Sequence, residues 1–187
     1  MAAEQTISQI NGIDLDALRR TVGAIEENPQ LAKFKFRAAS KWISGTESQC
    51  AVTDFFGANQ EVPHQQTFEV RADEPPLLCG HDRSPGPGEY LLSALASCIT
   101  TGVVAHAAVR GIHIEELESQ VEGDVDLRGF LGLDENVSKG FTHIRVKFQV
   151  KAEPHELDRL RKLVDFSPVL ATITDGARVD VQFDAKG

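Results

Sequence analysis

The chain has 187 residues, of which 41% are hydrophobic and 25% charged, and its formal net charge is −9. One domain with a core of ordinary size is the default at this length. The acidic balance, with no run of basic residues, argues against a nucleic-acid partner, because phosphate-backbone binding needs a basic face.

From the N-terminus, Met-Ala-Ala-Glu-Gln lacks a charged region followed by an apolar stretch, so no secretory signal is predicted and the expected location is cytoplasmic. Leu15, Leu18, Val22 and Ile25 then recur at helical spacing after a possible Asp14 cap, and Asn28-Pro29 stops the pattern. This short amphipathic helix reads as an N-terminal extension over residues 1–30, ahead of a main domain over 31–187. Three strands are predicted next, at Lys33 to Ser44, Glu47 to Phe56 and Gln66 to Ala72, with breaks at Ser44-Gly45 and at Gly57-Ala58-Asn59.

A Gly/Pro-rich loop leads to the most distinctive segment, Tyr90 to Val109, which contains no Lys, Arg, Asp or Glu and carries Cys98 near its middle. Pro87 and Glu89 supply start signals, and Arg110-Gly111 supplies a stop, so one helix is predicted over roughly 88–110. Its length would suit a bilayer crossing. Its Ala, Ser, Thr, Gly and Cys content, His106 and the amphipathic flanks argue instead for a helix buried within protein, without a membrane partner. Small side chains at Ser93, Ala94, Ser97, Thr101 and Ala105 would let a second helix approach closely, one that could come from a partner subunit.

Strands are predicted at Leu117 to Leu127 and Phe141 to Lys151, helices over Pro154 to Phe166 and on to about Thr174, and a last strand at Arg178 to Phe183. The order is that of an α+β fold with largely antiparallel pairing.

Few side-chain patterns offer chemistry. Asp124 to Glu135 imitates a calcium loop, but Arg128 occupies the fifth position and strands flank it. The six histidines have no zinc-type spacing, so neither a metal nor a cofactor is expected. Cys50, Cys79 and Cys98 are odd in number and widely spaced, which suits reduced thiols. Free cysteine is among the most buried residue types, and on the residues alone a packing role for Cys98 is the simpler reading. His106, eight residues on, lies roughly 12 Å along the helix from Cys98, and Glu89, nine residues back, is about half a rotation away and reaches Cys98 only if the helix starts later or another chain supplies it, so a reactive thiol would need borrowed groups.

Taken together, Trp42-Ile-Ser-Gly45, Asp54-Phe-Phe-Gly57, Ala72-Asp-Glu-Pro-Pro76, the Gly80-to-Cys98 segment, Ala107-Ala-Val-Arg-Gly-Ile112, Glu122-to-Leu133 and Ser167-Pro-Val169 resemble the OsmC/Ohr superfamily, in its OsmC-like branch. The resemblance implies an intertwined homodimer with long central helices packed together, and thiol chemistry that reduces hydroperoxides. Cys98 matches the attacking cysteine, with Glu89 as a candidate catalytic partner one residue nearer in sequence than the family's Glu. The second cysteine, which closes a disulfide with the first, corresponds to Ser167. That leaves at most a one-cysteine cycle rescued by an external thiol, unless Cys79 or Cys50 takes the second role. The Arg that holds the thiolate has no match in Lys41 to Thr46, and Arg37, Arg71 and Arg83 are the alternatives. A second reading is a non-catalytic protein that binds an apolar or acyl ligand in the dimer cleft.

Overall fold

The computed structural model describes residues 9–185, and its internal contacts divide the chain into two compact units, Met1–Leu91 and Leu92–Gly187. The part of the N-terminal extension before residue 9 lies outside the described residues.

The first unit opens with a small hairpin, β1 (Gln9–Ile10) and β2 (Ile13–Asp14), that the sequence patterns did not indicate. Helix α1 (Leu15–Glu27) follows, with Asp14 as its cap: Oδ1 accepts the N–H groups of Asp16 and Ala17 at 2.9 and 2.8 Å. Strands β3 (Lys35–Phe36) and β4 (Ala39–Ser44) lie along the same side of β5 (Glu47–Gly57), so they are two halves of one predicted strand, interrupted at residues 37–38. On its other side β5 pairs with β6 (Gln60–Ala72). Ala58 and Asn59 turn the chain with φ of 50° and 61°, the positive pair that suits a two-residue hairpin. Strand β6 begins six residues before the predicted Gln66, because Gln60 to Pro63 pair across this turn with Gly57 to Asp54. Pro63 sits beside a bulge opposite Val52 to Asp54, a place where a missing N–H is tolerated.

The loop after β6 is organised by Asp73. Its carboxylate, 1% exposed, accepts from the Thr46 hydroxyl at 2.9 Å and from the backbone N–H groups of Glu74, His81 and Arg83 at 2.9, 3.0 and 3.3 Å. Gly80 packs so tightly that a Cβ there would stand 1.7 Å from the Glu74 carbonyl oxygen.

Helix α2 (Pro87–Val109) runs through the division between the units and agrees with its predicted span to one residue at each end. Its last turn closes as a Schellman motif: Gly111, at φ 71°, donates to Ala108, and Ile112 donates to Ala107. By length and composition α2 could cross a membrane. In the second unit, however, Leu95, Ile99, Val103 and Ala107 form a core stripe with Ile112, Leu160 and Leu163. The burial is one-sided, since Leu91, Ser93, Ala94, Ser97 and Thr101 are exposed.

Strands β7 (Ile114–Asp124) and β8 (His143–Ala152) form an antiparallel pair, joined through a short helix α3 (Leu127–Phe130). Asp126 caps α3 through the Arg128 N–H and also holds the Arg128 guanidinium at 2.6 Å, so the residue at the fifth calcium-loop position is an internal clamp. Period-two alternation turns Val121, Val146 and Phe148 toward the core. The chain then continues through α4 (Leu157–Arg161), flanked by 3₁₀ turns, and α5 (Pro168–Asp175).

The predicted last strand, Arg178 to Phe183, is not formed: this stretch pairs with no strand among the described residues. Its alternating Val179, Val181 and Phe183 are 78%, 75% and 95% exposed. A strand signal is local, whereas a strand exists only where a second edge supplies its hydrogen bonds.

Candidate active site around Cys98

Helix α2 positions Cys98 at its twelfth residue, beside the buried Leu95 and Ile99, and leaves the thiol half-buried. The helix dipole acts within the first turn, so it does little for a thiolate placed here. Among the described residues, no hydrogen bond or ion pair to the Cys98 thiol is seen.

One turn further along the same face is Gly102, where a Cβ would stand 4.0 Å from the Phe166 carbonyl. The corner between α4 and α5 therefore rests against α2 next to the Cys98 turn, and the residue after Phe166 is Ser167. Ser167 is 1% exposed and is the N-cap of α5: its hydroxyl oxygen accepts the Leu170 N–H at 3.2 Å, ahead of Pro168 in the first turn. The Phe166 ring is held as well. The His106 ring stacks on it at 3.9 Å between centroids, and the Arg110 guanidinium lies 5.4 Å from the same ring. Arg110 also donates to the His106 carbonyl at 3.0 Å and meets Nδ1 at 3.2 Å. Burial, and then the neighbouring Arg110 charge, push the His106 pKa down.

Glu89 is used locally. Its Oε2 accepts the Gly86 N–H at 2.7 Å, which makes it the third-position acid of the α2 N-terminus. Of the alternative arginines, Arg37 is clamped by Asp54 and Glu61, each at 2.6 Å, and Arg83 lies 3.9 Å from Glu47. Arg71 shows no ion pair among the described residues; its carbonyl accepts the Tyr90 hydroxyl at 2.6 Å. Cys50, on β5, is half-buried, and Cys79, in the loop before α2, is exposed with φ 65°.

Residues 80–182, more than half of the chain and including Cys98 and Ser167, match the family model for OsmC-like protein. The chain belongs to the OsmC-like family. Solved structures show the same α+β fold with antiparallel sheets. One is an OsmC-like protein from Mycoplasma pneumoniae, 18% identical, with 79% of this chain and 94% of that one covered at a TM-score of 0.55. Another is an organic hydroperoxide resistance protein OsmC from Legionella pneumophila, 14% identical, with 75% and 91% covered at a TM-score of 0.50. A further OsmC-like protein, of unknown function, from Vibrio cholerae is 13% identical, with 75% and 94% covered at 0.51. No curated protein matches the chain significantly.

Two features of this OsmC-like chain escaped the sequence patterns. Asp73 stood in the sequence only as part of the Ala72-to-Pro76 motif, and the folded loop reveals four donors converging on it. The stack of His106, Phe166 and Arg110 joins residues far apart in the chain; only the four-residue spacing of His106 and Arg110 on one helix hinted at it.

Proposed function

We propose that this OsmC-like protein is a homodimeric, one-cysteine thiol peroxidase in which Cys98 reduces hydroperoxides. The observation that carries this reading is the placement of a half-buried Cys98 on α2, one turn from Gly102, which the Phe166 carbonyl approaches just before the capping Ser167; by resemblance, Ser167 stands at the family's second-cysteine position. In the first step the Cys98 thiolate attacks the distal peroxide oxygen, the O–O bond breaks, and the departing alkoxide takes a proton and leaves as alcohol. Cys98 becomes a sulfenic acid. Ser167 cannot close a disulfide, so an external thiol attacks the sulfenic sulfur and releases water. A second thiol then displaces Cys98 from the mixed disulfide. One hydroperoxide and two thiols thus give one alcohol, one water and one disulfide, which suits a reducing cytoplasm.

Two observations support a second copy. The exposed Ala94, Ser97 and Thr101 share one face of α2 with Leu91, a small-residue surface that admits close helix approach. The segment over 177–185 carries strand-forming side chains and pairs with no strand among the described residues. A thiolate on Cys98 needs a cation, and Arg71 of the second copy is the candidate we favour, because Arg37 and Arg83 already face carboxylates.

The test follows consumption of cumene hydroperoxide with dithiothreitol as reductant, together with trapping of sulfenic acid by dimedone. The expected result is turnover and a single adduct on Cys98 in the wild type, and loss of both in Cys98→Ser. Turnover that survives Cys98→Ser, or a wild-type protein that consumes no hydroperoxide, refutes the proposal.

A further inference from the structure

The second unit contains a groove of about 610 Å³ that the Cys98 chemistry does not use. Helix α2 contributes Ile99 and Val103 to its wall, the sheet contributes Val146 and Phe148, and the helices that follow contribute Leu160 and Leu170. Its volume lies inside the range of about 300–1,000 Å³ typical of small-molecule sites. Cys98 is not in the lining, although its neighbour Ile99 is.

A single charged residue stands in this wall, Arg161 at the end of α4. Its side chain is 81% exposed, and the carboxylate nearest to it is Asp158, 3.5 Å away and itself 86% exposed. An exposed pair of that kind is weak, so the guanidinium can exchange Asp158 for another carboxylate at little cost. Guanidinium geometry suits a carboxylate, which it can hold through two N–H groups. The remaining lining is apolar and offers hydrocarbon contact without polar partners. A nucleotide or sugar would leave several polar groups unpaired against such a wall, and a neutral hydrocarbon would make no use of the cation.

We infer that this groove binds a straight-chain monocarboxylate of medium length, with the chain along Val103 and Phe148 and the carboxylate on Arg161. The inference does not depend on peroxide reduction, because it involves neither the Cys98 thiol nor Ser167.

Isothermal titration of the full-length protein with octanoate, and in parallel with 1-octanol, tests it. The expected outcome is saturable octanoate binding with one site per chain, weakened about fivefold in Arg161→Gln, as befits an exposed charge contact. Binding of 1-octanol should be the same in wild type and Arg161→Gln, and Cys98→Ser should bind octanoate like the wild type. Arg161 lies on the surface, so its replacement leaves the fold intact, and thermal unfolding checks this directly. Absence of saturable octanoate binding, as would follow if a second copy seals the groove, overturns the inference, and so does equal octanoate affinity in Arg161→Gln. A sensitivity to Cys98→Ser equal to that of Arg161→Gln would move the ligand to the peroxidase site and also overturn it.

Discussion

Replacing Ser167 separates the two roles that meet at this position, a helix cap and the missing second cysteine. Ser167→Ala removes the acceptor for the Leu170 N–H in a nearly water-free corner, where no solvent molecule easily replaces it. Loss of an N-cap of this type costs about 1 kcal/mol, and for a chain of this size that lowers Tm by roughly 2–4 °C. Ser167→Thr keeps the acceptor and is expected to lose less. Ser167→Cys, with a thiol that accepts hydrogen bonds weakly, is expected to lose about as much as the alanine variant while reduced. On addition of one equivalent of hydroperoxide the same variant should form a disulfide between position 167 and Cys98, because the Phe166 carbonyl approaches α2 at Gly102, one turn from Cys98. Closing a loop of about 70 residues would then raise stability by about 4 kcal/mol on the chain-entropy model. Urea unfolding at one fixed protein concentration measures each step, and mass mapping of peptides identifies the bond. An alanine variant within about 0.3 kcal/mol of wild type refutes the capping role, given the typical loss. A thiol at 167 that never joins Cys98 refutes the correspondence with the second cysteine.

Other expected outcomes follow from the same structure. Burial alone would raise the Asp73 pKa, but the Thr46 hydroxyl and three backbone N–H groups outweigh it and hold the group at about 2. Its contribution to stability is therefore complete above the ordinary value of 3.8 and is lost as pH falls from there toward 2. Tm measured between these limits should fall more steeply in wild type than in Asp73→Asn, and parallel slopes would refute this account. Leu160→Ala is expected to cost about 2–3 kcal/mol in urea unfolding, the low end for a buried leucine, because the side chain already borders the groove and loses fewer contacts. A cost above about 4 kcal/mol would mean the site is packed tightly on every side.

The ends of α2 were legible because Pro87, Glu89 and Gly111 act within one turn of their own positions, and the structure assigns each the work its type suggests. The start of β6 was not legible. Gln60, Glu61 and Pro63 have weak strand character, and what holds them extended is the facing β5 across a hairpin whose Ala58 takes a positive φ. Residues 178–183 failed in the opposite sense, with strong strand character and no facing edge among the described residues. At the site, the family motif pointed to Cys98 and Ser167. Ser167-Pro168 stands where the second of the two predicted helices begins, and the structure makes them its cap and its first residue. The candidate catalytic Glu89 also closes the first turn of α2 through its carboxylate. The donors around Asp73 are backbone groups, which no side-chain pattern reveals.

The unpaired terminal segment bears on how the chain reaches its final state. If Val179, Val181 and Phe183 gain cover only from a second copy, the last step of folding is a bimolecular collision. Its rate then scales with protein concentration, whereas the hairpins of the first unit close at a rate independent of it. A nascent chain carries that hydrocarbon ladder uncovered until an encounter occurs, and dilution lengthens the wait. Expression level thereby becomes a kinetic variable of maturation, and a chain that finds no mate presents an edge open to aggregation.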